Sequence, residues 1–382
     1  MNRITGVYLT ITTMNEPVQA FIPHPLPPNE PKLAEAFLVE SQAAAVVALN
    51  RLSAVAGLVP SVDWWLYSAI RKEALLTSQI EGTQATLVDL FDNEAGLVVS
   101  NSADVEEVTN YLQAFRHVQN NVRDPLGLPL SVRLWCDAHR LLLDGVRGVG
   151  KQPGELRRSQ NWIGGTRPGN AVFVPPPADK VPSLLAALER FIHGTQSNLP
   201  SLVKIALIHA QFETIHPFLD GNGRIGRLLI AALMEHWNLL PEPLMYLSGY
   251  LKQHQMEYYR RLSAIRTDGD WEGWVRFFLE GVEMAAGESE KAIVSLASLV
   301  ASDRRRLLAN PKSNPASYRL FEILPTMPHF TVERVRVVLE TTFPTANAAV
   351  KMLEDLGIVK ELTGKRKNRT FSYHAYVELL SK

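Results

Sequence analysis

Twelve residues, HPFLDGNGRIGR from His216 to Arg227, bring together an imidazole, a carboxylate, two glycines, an asparagine and two arginines. Gly221 and Gly223 open backbone conformations closed to other residues, so successive N–H groups can converge on an anion. The apolar text that follows reads as a helix starting near Arg224, whose first turn adds unpaired N–H groups and the positive end of its dipole. Arg224 and Arg227, three apart, are expected on one face of that turn. The sum is a cradle for an oligophosphate. Asp220 is ill suited to bare phosphate but well suited to a magnesium ion bridging phosphates. Asn222 can hydrogen-bond phosphate oxygens. His216, expected across the loop at the end of the preceding helix, has an unperturbed pKa near neutrality, which suits a general base. A base, a metal ligand and an anion hole at one helix–loop–helix junction point to transfer chemistry at phosphorus. Singly, each piece also fits a polar turn with solvated arginines, since DGNG is good turn sequence. The whole string between two helical patterns favours the chemical reading.

The elements that must hold this loop are mostly helical. Pro31 to about Val59 is alanine- and leucine-rich with helical periodicity, and DWWLYSAIRKEALLTSQIEG reads as a second helix stopped by Gly82. A third begins at DVEEVTNYLQAF with Asp104 as N-cap, and a fourth at SVRLWCDAHRLLL with Ser131 as cap. Helices are also expected at VPSLLAALERFIHG and SLVKIALIHAQFETI, where Leu202, Ile205, Ile208 and Phe212 should face the core. IGRLLIAALMEHW reads as a central buried helix, and further helical text runs from MEYYRRLSAIR to DRRRLL. Five prolines in FIPHPLPPNEP mark residues 1 to about 31 as an irregular arm. Glycine and proline dominate 148–177, where a short β-hairpin flap around TRPGN is expected. ANPKSNPAS reads as a linker, followed by a small α+β unit with helices at SYRLFEIL, TVERVRVVLE and TANAAVKMLEDLGIV and two strands around TGKRKNR.

Composition narrows the function classes. The 382 residues balance 39 Lys+Arg against 39 Asp+Glu, so no global field points to nucleic acid or membrane. One cysteine, Cys136, excludes an intramolecular disulfide and suggests a reducing compartment. The polar, threonine-broken N-terminus lacks a signal-peptide core and no apolar run is long enough to span a bilayer. A cytoplasmic protein is expected.

HPFLDGNGRIGR resembles, at every signature position, the motif of Fic-domain proteins, which transfer AMP from ATP to a hydroxyl side chain of a target protein. PGELRRSQNWIGG resembles the family's flap, PHPLPP the N-terminal arm of one large bacterial branch, and the tail the winged helix that often ends that branch. The resemblance implies a mainly α protein: a Fic helical core with a β-hairpin flap and a C-terminal winged helix. Its divisions would be 1–103 (arm and helical extension), 104–308 (core), 309–315 (linker) and 316–382 (winged helix). It implies that His216 deprotonates the incoming Ser, Thr or Tyr hydroxyl, Phe218 anchors the loop and Asp220 holds Mg²⁺. Gly221, Asn222 and Gly223 would form the anion hole, Arg224 would stabilise the transferring phosphate and departing pyrophosphate, and Arg227 would hold the γ-phosphate. Pro217 and Leu219 complete the implied ATP loop. The flap at 161–174 would pair with a target segment by strand addition. SGYLKQHQMEYY resembles the region bordering base and sugar, with His254 where the family often has asparagine. Homodimers are common in the family, as is self-modification.

TSQIEG, with Thr77, Glu81 and Gly82, resembles the family's inhibitory helix. By itself it reads first as an exposed glutamate at a helix-capping glycine. Joined to the signature it implies that Glu81 pairs with Arg227 and takes the charge that the γ-phosphate needs. Beside it, a glutamate near the metal site could orient water for AMP removal. In the tail, Lys365, Arg366, Lys367 and Arg369 could touch phosphates and Asn347 and Lys351 could read bases, which places any DNA contact within 345–370. Two rivals follow: a DNA-binding regulator whose core only senses nucleotide, and a phosphate-transferring toxin of the related Doc type. The latter typically has lysine near Gly223, and Gly223 argues against it.

Overall fold

The computed structural model describes residues 3–58, 61–145, 150–195, 197–365 and 367–381. Two helices carry the motif. α7 (Ser201–Ile215) buries Leu202, Ile205, Ile208 and Phe212 completely, as their spacing requires. α8 (Asn222–His236) is likewise apolar on nearly every face and packs against α7. Around this pair lie α1 (Val39–Val55), α2 (Val62–Ile80), α3 (Leu87–Glu94), α4 (Ser102–Arg123), α5 (Val132–Leu142) and α6 (Val181–His193). The chain closes over them with α9 (Leu247–Gln253), α10 (Gln255–Asp268) and the 39-residue α11 (Trp271–Ala309). α1 packs along α11, and the buried Trp274 indole donates to the Ala206 carbonyl of α7 at 2.8 Å. The fold is mainly helical, as expected.

The arm before residue 31 is not irregular. Gly6–Thr13 (β1) and Glu16–Pro23 (β2) form an antiparallel hairpin in register Gly6↔Pro23 to Thr13↔Glu16. Its two-residue turn, Met14–Asn15, has positive φ at both positions (49° and 63°), the geometry that suits the twist of a hairpin. The five prolines that pointed to an irregular arm begin only where β2 ends. β2 docks on the flap: the Phe21 N–H donates to the Val174 carbonyl at 3.0 Å, and Val18 and Ala20 pack with Val174, Trp162 and Ala171. The flap itself is reduced to one bridge, Ile163↔Phe173, around a 3-10 turn at Pro168–Asn170.

Helix starts also differ. The first long helix begins at Val39 after a 3-10 turn at Glu35–Phe37, and its expected end at Val59 lies outside the described residues. α3 was not anticipated, because eight residues are too few to show a period; a Thr86–Asp89 capping box starts it. α4 begins two residues before Asp104, with Asn101 at its N-cap. The Asp104 carboxylate instead accepts the Gln84 N–H at 2.6 Å, which ties the chain leaving Gly82 to α4. Ser131 caps α5 as expected, its hydroxyl accepting the Leu134 N–H.

After α11 come α12 (Pro315–Ile323), β3 (His329–Thr331), α13 (Val332–Val338), α14 (Phe343–Asp355), β4 (Lys360–Glu361), β5 (Thr370–Ser372) and α15 (His374–Ser381). The strands form an antiparallel sheet in the order β3-β5-β4. This segment packs on the N-terminal helices. Tyr376 donates to the Trp64 carbonyl at 2.9 Å and lies 3.1 Å from the Ser68 hydroxyl of α2, while His329 pairs with Asp92 of α3 at 2.6 Å. One apolar cluster runs without a break from Leu33 to Leu380. Ending the chain at Asn310 therefore uncovers buried Trp64 and Ser68. Calorimetry should show a melting temperature lower by roughly 5 °C or more, the shift expected for loss of a few kcal/mol in a chain of this size; an unchanged value would mean that this face of α2 needs no cover.

Candidate functional site

The loop from His216 to Gly221 is held by its backbone. His216 ends α7 in the left-handed region (φ 51°). The buried Arg157 guanidinium donates to the His216 carbonyl (2.9 Å), the Ile215 carbonyl (3.4 Å) and the Pro176 carbonyl (2.5 Å), while the Arg157 N–H reaches the Pro217 carbonyl at 2.9 Å. With carbonyls alone to offset burial, its pKa is pushed down to about 10. Asn222 closes the other side: its Oδ1 accepts the Phe218 N–H (2.8 Å) and its Nδ2 donates to the Phe218 carbonyl (2.9 Å). The Asn222 side chain is thus spent on the loop, contrary to the phosphate contact its type suggested. Phe218 is buried and stacks on His139, rings 3.9 Å apart. The Gly154 N–H donates to His139 Nδ1 (2.9 Å), so Nε2 carries the proton and donates to the Asp220 carbonyl (3.0 Å). Burial pushes the His139 pKa down to about 4, so this clamp keeps one charge state at neutral pH. Arg157 and His139 were not found from sequence, since their partners are backbone groups, which leave no pattern in side-chain types.

The cradle takes shape where the loop enters α8. Gly221 has φ 75°, a left-handed backbone that favours glycine. The first intrahelical bond runs from the Ile225 N–H to the Gly221 carbonyl, leaving the N–H groups of Asn222, Gly223 and Arg224 ahead of it at the helix N-terminus. The two arginines diverge although they are one turn apart. Arg224 turns to α4, pairing with Glu107 at 3.0 Å and lying 3.7 Å from Asp220. Arg227 turns to α2: its Nε donates to the Thr77 hydroxyl (2.6 Å), and a terminal nitrogen to the Thr77 carbonyl (3.1 Å) and the Glu81 carboxylate (2.5 Å). Arg227 is 3% exposed. Burial alone would favour losing its proton, but Glu81, Tyr258 and Glu213 more than offset this and raise its pKa. Glu81 leans over the first turn of α8 so closely that a Cβ at Gly223 would overlap its carboxylate. Gly82, with φ 102°, lets the chain turn away directly after it.

His216 faces this arrangement across the loop. Its Nδ1 lies 3.3 Å from the Glu213 carbonyl, the geometry of an Nδ1–H donor, which leaves Nε2 free of a proton. Burial pushes its pKa down to about 4, well below the near-neutral value expected from its type, with the charge of Arg157 adding to the effect. The imidazole is therefore neutral and able to accept a proton at physiological pH. Asp220 keeps one carboxylate oxygen on the Gly221 N–H (2.6 Å) and the other toward Lys151 (3.7 Å), and is 44% exposed. Among the described residues no cluster of three or more side chains could hold a metal ion unaided. A half-exposed carboxylate beside an anion cradle fits a magnesium ion that completes its shell with phosphates and water. Pro217 and Leu219 lie in the same loop. His254 sits at the junction of α9 and α10, its Nδ1 3.0 Å from the Tyr250 carbonyl, next to Gln255, which donates to the Ile80 carbonyl of α2 (3.0 Å). The junction thus borders the end of the Glu81 helix. Far from the cradle, Lys351 pairs with Glu354 and Asp355, and Asn347 accepts from Arg369 (3.4 Å). Arg366 lies outside the described residues. Among those residues no helix is long and apolar enough to cross a membrane.

Comparison with known proteins agrees with this geometry. Residues 129–234 match the Fic/DOC family and residues 39–120 its N-terminal region. The protein adenylyltransferase Fic of Drosophila grimshawi is 31% identical over 157 residues, which are 41% of this chain and 29% of that protein. The enzyme of the same name from Aedes aegypti is 33% identical over 148 residues, 38% of this chain and 26% of that protein. The chain thus matches less than a third of these relatives' length. A Fic family protein from Desulfovibrio desulfuricans G20 superposes with a TM-score of 0.58 at 21% identity, covering 90% of this chain and 97% of that one. Fic-1 of C. elegans superposes with a TM-score of 0.54 at 20% identity, covering 68% and 74%. The matched segments contain the motif loop, nearly all of α8 and the Thr77–Glu81 helix, so the chain carries a Fic/DOC domain preceded by that family's N-terminal region.

Proposed function

We propose that this protein is an adenylyltransferase that moves AMP from ATP to a Ser, Thr or Tyr hydroxyl of a target protein, itself included, and that Glu81 holds the activity down. The observation that carries the proposal is the Glu81 carboxylate lying on Arg227 and over Gly223, a negative group in a cradle built for one. A γ-phosphate on Arg227 would set the triphosphate along the first turn of α8, with its α-phosphate facing His216. His216 Nε2 takes the proton of the target hydroxyl as its oxygen attacks the α-phosphorus. The bond from that phosphorus to the bridging oxygen breaks, and pyrophosphate leaves. Asp220 would hold Mg²⁺, which supplies charge neutralisation on the phosphates. The N–H groups at the start of α8 and Arg224 stabilise the charge that develops, so catalysis is mainly positioning and electrostatics. The flap at 161–174, tied to the loop by Asn161 Nδ2 donating to the Phe218 carbonyl at 3.1 Å, would receive the target as an added strand. Glu81, beside the same cradle, would also suit orienting a water for AMP removal. The topology of 315–381 supports a winged-helix unit.

With ATP and Mg²⁺, label from α-labelled ATP should enter the protein and label from γ-labelled ATP should not; γ label alone would mean phosphorylation. Glu81→Gly should raise self-modification on the order of tenfold or more, since a charge-assisted contact on the buried Arg227 is released. Arg227→Ala added to it should cancel the gain, and an unchanged rate in Glu81→Gly would remove the inhibitory role.

Two further variants divide the chemistry. His216→Ala should lower transfer by ~10²–10⁴ while ATP affinity stays within a few-fold, because the imidazole handles the proton and not the phosphates. Asp220→Ala should abolish the magnesium dependence of nucleotide binding. Calorimetry and transfer assays that find either variant like wild type would reassign the base or the metal ligand.

A further inference from the structure

Glu213 carries a half-buried carboxyl, one oxygen of which is fully enclosed, that the mechanism above does not use. It lies on the last turn of α7, three residues before His216, and its backbone carbonyl is the one facing His216 Nδ1. Its side chain leans over α8, where a Cβ at Gly226 would overlap Oε1. That oxygen is buried and has no hydrogen-bond partner among the described residues. The charges around it come from three neighbouring elements. Arg227 faces it from α8, Glu81 from the end of α2, and Arg266 from α10. Arg266 itself stacks on Phe173 of the flap, 3.9 Å from the ring centre.

The other titratable neighbours are locked in one charge state near neutral pH. His209 Nδ1 lies 3.0 Å from the Gly226 carbonyl and its Nε2 2.8 Å from the Tyr258 hydroxyl. Burial pushes the His209 pKa down to about 3 and that of Tyr258 well above the usual phenol value. His216 is neutral for the same reason, with Arg157 nearby. Arginine does not release its proton. Glu213 is different: burial pushes its pKa up to about 7, with Arg227 opposing and Glu81 adding to the rise.

We propose that Glu213 is a positioning residue of the transfer reaction, a carboxyl that takes up a proton when a triphosphate replaces Glu81 on Arg227. This rests on reading the cradle as an ATP site. A terminal phosphate brings more negative charge to Arg227 than one carboxylate does. In a poorly screened interior that extra charge favours the neutral acid over the carboxylate at Glu213. The neutral acid then removes a repulsion beneath the cradle and leaves Arg227 wholly to the nucleotide. Because binding takes up a proton, affinity is strongest below the resting pKa of Glu213 and weakens as pH rises through and above it.

The test uses the Glu81→Gly chain with Mg²⁺ and a non-hydrolysable ATP analogue, titrated calorimetrically at pH 7.5 in buffers of different ionisation enthalpy. It should take up roughly 0.3–0.7 proton more per nucleotide than the Glu81→Gly, Glu213→Gln chain. Protons lost or gained by the analogue itself are common to both and cancel. Between pH 7 and 8.5 affinity should fall several-fold more in the first chain than in the second. A second readout needs no Glu213 variant: the infrared C=O band of a protonated carboxyl should gain intensity when the analogue binds. Equal proton numbers in the two folded chains, or no gain in that band, overturns the proposal. Failure of the Glu81→Gly chain to bind the analogue would overturn the reading of the cradle as an ATP site instead.

Discussion

The Arg227 guanidinium is the charge on which the site depends. It is almost wholly buried between α2, α7, α8 and α10, and a buried cation without partners would cost several kcal/mol. Thr77 supplies two acceptors from its hydroxyl and carbonyl, and Glu81 supplies the negative charge. The first two bonds join α8 to α2 whatever occupies the cradle. The third is made by a side chain at the end of a helix, 36% exposed and followed by a glycine, and is therefore the replaceable one. A fixed anchor and an exchangeable counter-charge on one arginine are what a site needs if it is to be held closed and later opened.

Rigidity elsewhere makes that exchange meaningful. The motif loop is clamped by bonds to its backbone from Arg157, His139 and Asn222, while its glycines allow α8 to start without a Cβ in the way. Such a loop presents N–H groups and a neutral His216 in fixed positions, so little reorganisation is left for the moment of reaction. The flap shares the clamp, through Asn161 on the Phe218 carbonyl, and is braced from outside by the N-terminal hairpin. Flap, His216 and the start of α8 are thereby referred to the same few backbone atoms.

How legible this was from sequence depended on the physics of each part. α7 was plain because four apolar residues recur with helical period, and the turn into α8 because Gly221 and Gly223 stand between two helical patterns. The Glu81–Arg227 contact was anticipated from resemblance to a short motif that has no force alone. The hairpin at 6–23 was missed because its turn, Met14–Asn15, lacks the usual glycine and its neighbours are proline-rich. Arg157 and His139 were missed because they bind backbone groups, and the depressed pKa of His216 because burial is a property of the assembled fold. Asn222 was misread for a related reason: an amide that can bind phosphate can equally bind the loop that precedes it.

The central claim is that the Glu81 carboxylate stands where a nucleotide's terminal phosphate would stand. The most direct measurement is a crystal structure of the Glu81→Gly chain with Mg²⁺ and a non-hydrolysable ATP analogue. The account predicts a γ-phosphate oxygen about 3 Å from Arg227, in the position vacated by the carboxylate, with the Thr77 bonds intact. A nucleotide bound with its γ-phosphate elsewhere, and Arg227 still held by Thr77 alone, would contradict it.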